Sequence, residues 1–298
     1  MVSAKISIYW KLLRPKTALS TVLAALGGAF YLGLPTGFNY IILLLVVIGV
    51  ALAHLSINAL NDYLDYRSGL DTLTPRTPFS GGSKVLVDKL LDPREALLLS
   101  LTLLAIASIT GLIITLFRGL LILILAFIGA FIILTYNNLW VKIALGEFMV
   151  LVKGILVFLG SMYAVHGLIR YDVVLVGVVY GLVSVVVLYA NFIPDIEADR
   201  AIGRRTIPSI LGEYAWVGYT LIISTLIALI VLLVAMNMLP YTSLLAVVPG
   251  MLLFKVASTL KRAKRLEDLV ESLRVNTIAC RGIDTLITLA IIARALII

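Results

Sequence analysis

Charge is scarce in this 298-residue chain: only 13% of its residues are Asp, Glu, Lys or Arg. That is about half the usual share for a soluble domain, so water is not the main solvent of the folded chain. Cysteine is scarcer still. Cys280 stands alone, which excludes an intrachain disulfide, and its apolar surroundings make it a buried packing residue. Also missing is the alternation of apolar and polar residues that marks an outer-membrane barrel. What fills the chain is 61% hydrophobic residues, gathered into runs long enough to cross ~30 Å of hydrocarbon as helices. An all-α polytopic membrane protein is the expectation.

The apolar runs predict nine spans, at about 17–34, 40–64, 95–117, 119–138, 143–165, 172–193, 214–236, 240–258 and 276–297. The basic start and following apolar segment resemble a signal peptide, but that segment is long enough to span and others follow, so it is expected to stay as the first span. An odd number of spans puts the termini on opposite sides. Nineteen of the 24 Lys and Arg fall on one side: at Lys5, Lys11, Arg14 and Lys16, within 65–94, at Lys142, within 194–213 and within 255–274. The other side has only Arg118, Arg170 and Arg294, while Lys153 and Arg281 lie inside spans. The positive-inside rule therefore places the N-terminus and the long loops in the cytoplasm of a multi-pass plasma-membrane protein. Topology and anionic headgroups account for the net charge of +8, and nucleic acid is not needed to explain it. The mixed charges of 259–275 read as a solvated interfacial helix.

Two span ends carry the chemistry. The second ends with Asn58, Asp62 and Asp65 at i, i+4 and i+7, which puts two carboxylates and an amide on one helix face. The sixth ends with Asn191, Asp195 and Asp199 at i, i+4 and i+8, with Pro194 predicting a kink or break there. Like charges so placed repel unless a cation sits between them, and hard oxygen ligands suit Mg²⁺. Asn191 lies 133 residues, or four spans, after Asn58, so both motifs emerge on one membrane face. This pattern suggests one domain, 1–298, built of two pseudo-repeats at about 1–138 and 139–270 plus a final span. The loops 65–94 and 194–213 that follow the motifs are long and polar, as functional loops tend to be. Their cations Arg67, Arg76, Lys84, Arg200, Arg204 and Arg205 are candidates for neutralising a diphosphate, although topology alone would also place them there. The glycines of Ser80-Gly81-Gly82-Ser83-Lys84 would let backbone N–H groups approach an anion.

Polar residues within spans need partners. Lys153 is expected to face a cavity, Arg281 and Asp284 to pair with each other at i, i+3, and His54 to make an interhelical hydrogen bond. Glu147 is a further buried candidate, and Tyr136, Asn137 and Asn138 end the fourth span as either an aromatic belt or a polar cavity rim. An intramembrane lysine and duplicated halves are also compatible with a transporter, but its unwound helices belong near the midplane and both Asp clusters lie at one edge.

In NDYLDYRSGLD (61–71), in NFIPDIEADRAIGRRT (191–206) and in Arg14-Pro15 before the first span, the sequence resembles the UbiA superfamily of intramembrane prenyltransferases. The resemblance extends over essentially the whole chain. It implies nine helices around a central cavity, cytoplasmic cap loops after helices 2 and 6, a polyprenyl diphosphate donor and Mg²⁺. It further implies metal binding by Asn58, Asp62, Asp65, Asn191, Asp195 and Asp199, with the four aspartates catalytic. Arg67, Lys84, Arg200 and Arg205 would contact diphosphate, and Arg14, Asp71, Tyr136 and Lys153 would line the cavity or orient the acceptor. Five residues separate Asp65 from Asp71, and with Gly69 and the DIEADR and GRRT runs this looks more like the 1,4-dihydroxy-2-naphthoate prenyltransferase branch of menaquinone synthesis. The acceptor is expected to be an aromatic quinone precursor or another lipophile, a glycerol-phosphate-type lipid being the alternative. No obligate protein partner is expected.

Overall fold

A computed structural model describes residues 2–263 and 265–297, so Lys264, one of the basic residues expected in the cytoplasm, lies outside the described residues. Among the described residues there is no strand. The helices are α1 (Val2–Leu13), α2 (Ala18–Phe30), α3 (Asn39–Arg67), α4 (Leu70–Leu73), α5 (Pro93–Arg118), α6 (Leu120–Thr135) and α7 (Gly146–His166). They continue as α8 (Val174–Phe192), α9 (Ile196–Ala201), α10 (Ile207–Leu211), α11 (Ala215–Ala235), α12 (Val247–Arg262) and α13 (Leu266–Ala295).

Local chemistry sets several boundaries. Pro93 occupies the first turn of α5, where a missing N–H costs nothing, and the Asp92 carboxylate accepts from the Arg94 N–H at 2.7 Å. Thr206 caps α10 in the same manner, accepting from Ser209 N–H at 3.2 Å. Pro194 stops α8 as expected: the helix ends at Phe192 and the chain restarts as α9 after Asp195.

Eight of the nine expected spans are helices long and apolar enough to cross a membrane. The first, expected over 17–34, is instead the 13-residue α2, about 20 Å long. Pro15 breaks the chain before it, and residues 31–38 leave helical geometry after it. The expected interfacial helix 259–275 does not form as a separate element. Ala263 is extended, so the charged stretch becomes a corner between the end of α12 and the start of α13, which then runs unbroken for 30 residues.

The centre of the bundle is α8, whose Tyr180 and Tyr189 pack against Phe158 of α7 and Tyr219 of α11. Helices α7 and α8 meet backbone to backbone at Gly154 and Gly181; a methyl group on Gly181 would lie 2.5 Å from the Leu151 carbonyl oxygen. Close approach through small residues is how apolar helices gain dispersion contact without a hydrophobic drive between them. The outer faces stay apolar and uncovered, Leu98, Leu116, Phe127 and Val248 among them, as lipid-facing helices require.

Candidate active site

The site begins at a break. Arg14 precedes Pro15 and adopts left-handed geometry (φ 46°), which ends α1 and leaves the Leu13 carbonyl without a helical partner. The Asn58 side-chain amide donates to that carbonyl at 2.7 Å and to Thr17 Oγ1 at 2.9 Å, which docks the break on α3. The same turn aims the Arg14 guanidinium at Asp62, 2.7 Å away, and at the Asn58 carbonyl oxygen. His54, one turn earlier on α3, is satisfied between helices as expected, by Thr21 Oγ1 at 2.7 Å and Thr17 Oγ1 at 3.2 Å.

Beyond α3 the chain folds back as a strap over residues 74–92. Ser83 N–H donates to the second Asp62 oxygen at 3.0 Å. Gly81 and Gly82 take positive φ, and a Cβ on Gly82 would lie 2.8 Å from an Asp71 oxygen, so only glycine lets the strap pass the carboxylate. The Lys84 ammonium points inward and donates to the Asp71 carbonyl, Thr74 Oγ1 and the Thr74 carbonyl at 2.6, 2.7 and 3.2 Å.

The second motif reaches the first through Arg204. Gly203 (φ 75°) turns the chain after α9, and the buried Arg204 guanidinium meets Asp65 Oδ1 at 3.1 Å and Asp199 Oδ1 at 3.5 Å. Asn137 adds a donor to Asp65 at 3.2 Å from the π-helical turn Tyr136–Trp140 that ends α6. Thr206 donates to Asp199 Oδ2 at 3.0 Å, and Glu147 accepts from the Ile207 N–H at 2.7 Å, so the loop after α9 is anchored on both sides.

All of this closes the polar end of a cavity of about 920 Å³. Its walls run from Asp62, Asp65, Asp71, Asn191, Asp195, Asp199 and Arg204 down to apolar side chains such as Ile114, Ile122 and Leu125. Carboxylates are crowded there. Burial and repulsion from Asp62 and Asp65 push Asp71 up to about 8. Burial and the Asp199 carboxylate push Asp195 up to about 7, and burial raises Asp199 as well. A bound cation would relieve this crowding of carboxylates.

Each of the six expected metal ligands, Asn58, Asp62, Asp65, Asn191, Asp195 and Asp199, lines this cavity, as do Arg14, Asp71, Tyr136 and Lys153. The four expected diphosphate contacts do not. Arg67 reaches Tyr63, Arg200 is bonded to the Ser209 carbonyl and Glu197, Arg205 is exposed, and Lys84 is used up on Asp71 and Thr74. Arg76 pairs with Asp88 away from the cavity. Nor do Arg281 and Asp284 pair: Arg281 donates to the Lys16 carbonyl at 3.2 Å.

The sequence profile of the UbiA prenyltransferase family matches residues 18–276. The chain belongs to this family. It is therefore a prenyltransferase and a membrane protein with several apolar helices. Among curated proteins it is 29% identical over 240 residues to a 1,4-dihydroxy-2-naphthoate octaprenyltransferase from Haemophilus influenzae, covering 77% of each chain. Solved UbiA-type structures share the fold. A UbiA homologue from Aeropyrum pernix K1 superposes with a TM-score of 0.68 at 21% identity, covering 95% of this chain and 97% of that one. A digeranylgeranylglyceryl phosphate synthase gives 0.63 at 18% over 97% and 99%. A UbiA homologue from Archaeoglobus fulgidus bound to GPP and Mg²⁺ gives 0.59 at 16% over 96% and 99%.

The donor set fits the divalent cation seen in that last relative. Buried oxygens with no hydrogen-bond partner, Asn61 Oδ1, Asn191 Oδ1, Asp195 Oδ1 and Asp199 Oδ1, collect at the polar end, and such hard acceptors suit Mg²⁺. Among the described residues no three Asp, Glu, His or Cys side chains already form a metal cluster, and Asp62 and Asp65 are paired with Arg14 and Arg204. In this UbiA chain Arg204, one of the six candidate loop cations but not among the four contacts the resemblance implied, and Asn137, expected as belt or cavity rim, are the side chains that hold Asp65. Arg204 has two arginine neighbours in sequence, Arg200 and Arg205, and only its burial separates it from them.

Proposed function

We propose that the protein transfers a polyprenyl group from polyprenyl diphosphate to a lipophilic acceptor inside the membrane, with Mg²⁺ at the two Asp motifs. The observation that carries this reading is the meeting of both motifs, from the ends of α3 and α8, at the polar end of one long apolar cavity. The A. fulgidus homologue with GPP and Mg²⁺ supports the donor and the metal, and the H. influenzae relative supports an aromatic quinone precursor as acceptor.

Asp62, Asp65, Asp195 and Asp199 would hold the metal, with Asn191 adding an amide oxygen and Asn58 fixing the start of α3's polar face. When bound, Mg²⁺ supplies positive charge where the diphosphate oxygens take up electrons. Arg14 and Arg204 lie at the same end and strengthen that field, each donating from a guanidinium already fixed in place. The C1–O bond of the donor breaks with its electron pair leaving on diphosphate. An electron pair of the acceptor then forms the new bond to C1, and the attacked atom gives up its proton. The apolar walls take the isoprenoid tail and keep water from the cation. In this reading the chain crosses the membrane nine times, counting α2, with the N-terminus, the strap and the loop after α9 in the cytoplasm.

Membranes supplied with labelled geranylgeranyl diphosphate, Mg²⁺ and aromatic acceptors test the proposal. Asp62→Ala and Asp195→Ala are each expected to lower turnover by roughly 10²-fold or more while the purified bundle stays folded. Near-normal turnover in either variant would overturn the site.

A further inference from the structure

Below the carboxylates lies a second polar patch that the donor chemistry does not use. Lys153 stands in the third turn of α7 and lines the cavity together with Ser184 of α8 and Thr21 of α2. Ser184 comes seven residues before Asn191, about 10 Å deeper along the helix, which is where an acceptor beneath the donor's C1 would rest. Among the described residues the Lys153 ammonium makes one hydrogen bond, to Ser184 Oγ at 3.2 Å, and no direct ion pair. Two of its three donors are left for the cavity. An intramembrane ammonium in this state is costly unless something anionic completes it, and Asp284 acts on it only from a distance.

Thr21 supplies the complementary group. The single Thr17 hydroxyl proton goes to the Arg14 carbonyl, so His54 Nε2 must donate to Thr17 Oγ1. His54 Nδ1 is then an acceptor, and Thr21 must donate to it. The Thr21 oxygen keeps lone pairs free to accept a hydrogen bond from a hydroxyl in the cavity.

The geometry points to Lys153, supported by Ser184, as the anchor for an anionic group on the acceptor, with Thr21 accepting from the acceptor's hydroxyl. This rests on the prenyltransfer reading only for where the donor sits. It selects acceptors that carry a carboxylate or a phosphate over neutral phenols and alcohols. Two sources of that anion fit, an aromatic hydroxy acid and a glyceryl phosphate lipid.

The test is equilibrium binding to the full-length protein in nanodiscs. One arm compares 1,4-dihydroxy-2-naphthoate with naphthalene-1,4-diol, which lacks the carboxylate; the other compares a geranylgeranylglyceryl phosphate with its dephosphorylated alcohol. In at least one arm the anion is expected to bind tenfold or more tightly than its neutral counterpart. K153Q should erase that preference, K153R should keep most of it, and binding of geranylgeranyl diphosphate should not change in either variant. Preference confined to the first arm assigns the aromatic acid, and preference confined to the second assigns the phosphate lipid. Equal binding of anion and neutral form by the unmodified protein in both arms, or a preference that survives K153Q, overturns the inference. The first of these outcomes needs no variant, so it decides even where K153Q does not fold. Lys153-dependent binding without prenylated product would count against prenyltransfer and not against the anchor.

Discussion

Arg204 shows how much one side chain decides here. It is in contact with both Asp motifs, and the half-buried Asp65 and the buried Asp199 lose their shared partner if it is removed. Breaking a buried pair is worse than never having had one, because the stranded carboxylates keep their desolvation penalty. Arg204→Met is therefore expected to destabilise the protein by about 3 kcal/mol. Arg204→Lys should recover only part of that, since a point charge lacks the planar fork that reaches two carboxylates. Thermal unfolding in detergent measures both. With Mg²⁺ at the proposed site, the rise in Tm on adding it should be larger for Arg204→Met than for the unmodified protein. An unchanged Tm in Arg204→Met would remove Arg204 from this role.

At the scale of elements, the strap over residues 74–92 is the part most dependent on a single tie. Lys84 spends all three of its donors on tying it down, one on the Asp71 carbonyl of α4 and two on Thr74, and hydrogen bonds to charged groups are worth about 1.5–3 kcal/mol each. Lys84→Met should open the strap, raising its rate of limited proteolysis by roughly tenfold or more, because Ser83 then no longer positions Asp62. A tie of this kind predicts a fall in kcat with little change in donor KM, whereas a diphosphate clamp would raise KM. The long spans were legible in the sequence because some twenty apolar residues in lipid leave the backbone no choice but helix. The two Asn-x₃-Asp motifs were legible because carboxylates at a membrane edge demand an explanation. Three details were not. Which way Lys84 points depends on the left-handed turns at Gly81 and Gly82, and which of Arg200, Arg204 and Arg205 enters the cavity depends on the turn at Gly203. The third is the shortness of α2, where Pro15 and the loop after Tyr31 trim an apolar run that by composition alone reads as a full span.

For the whole molecule, the question is how so short a helix takes part in crossing the bilayer. From Pro15 to Leu32 the chain rises about 27 Å, close to the hydrocarbon thickness. Its first end sits beside Asn58 through Thr17, at the level of the carboxylates. Its other end is fixed among the opposite ends of the bundle: Tyr31 donates to the Met238 carbonyl at 2.7 Å, Arg294 donates to the Tyr31 carbonyl at 3.2 Å, and His166 bonds the Ala29 carbonyl at 2.7 Å. Segment α2 thus connects the two ends of the bundle, although its regular helix is shorter than the membrane. Three helices, α5, α6 and α7, separate the strap from the α7–α8 turn, so the proposed topology puts the two on opposite sides, with the strap inside. Cys280 is buried and is the chain's single thiol, so Cys280→Ala gives a silent background for labelling. On intact cells a membrane-impermeant maleimide should modify Tyr171→Cys, an exposed position in the α7–α8 turn, at once. Leu90→Cys, exposed on the strap, should react only after the membrane is opened. The reverse pattern would invert the orientation; Ile6→Cys, exposed on α1, should behave like Leu90→Cys, and labelling of Ile6→Cys from outside while Leu90→Cys stays protected would remove α2 from the count of crossings.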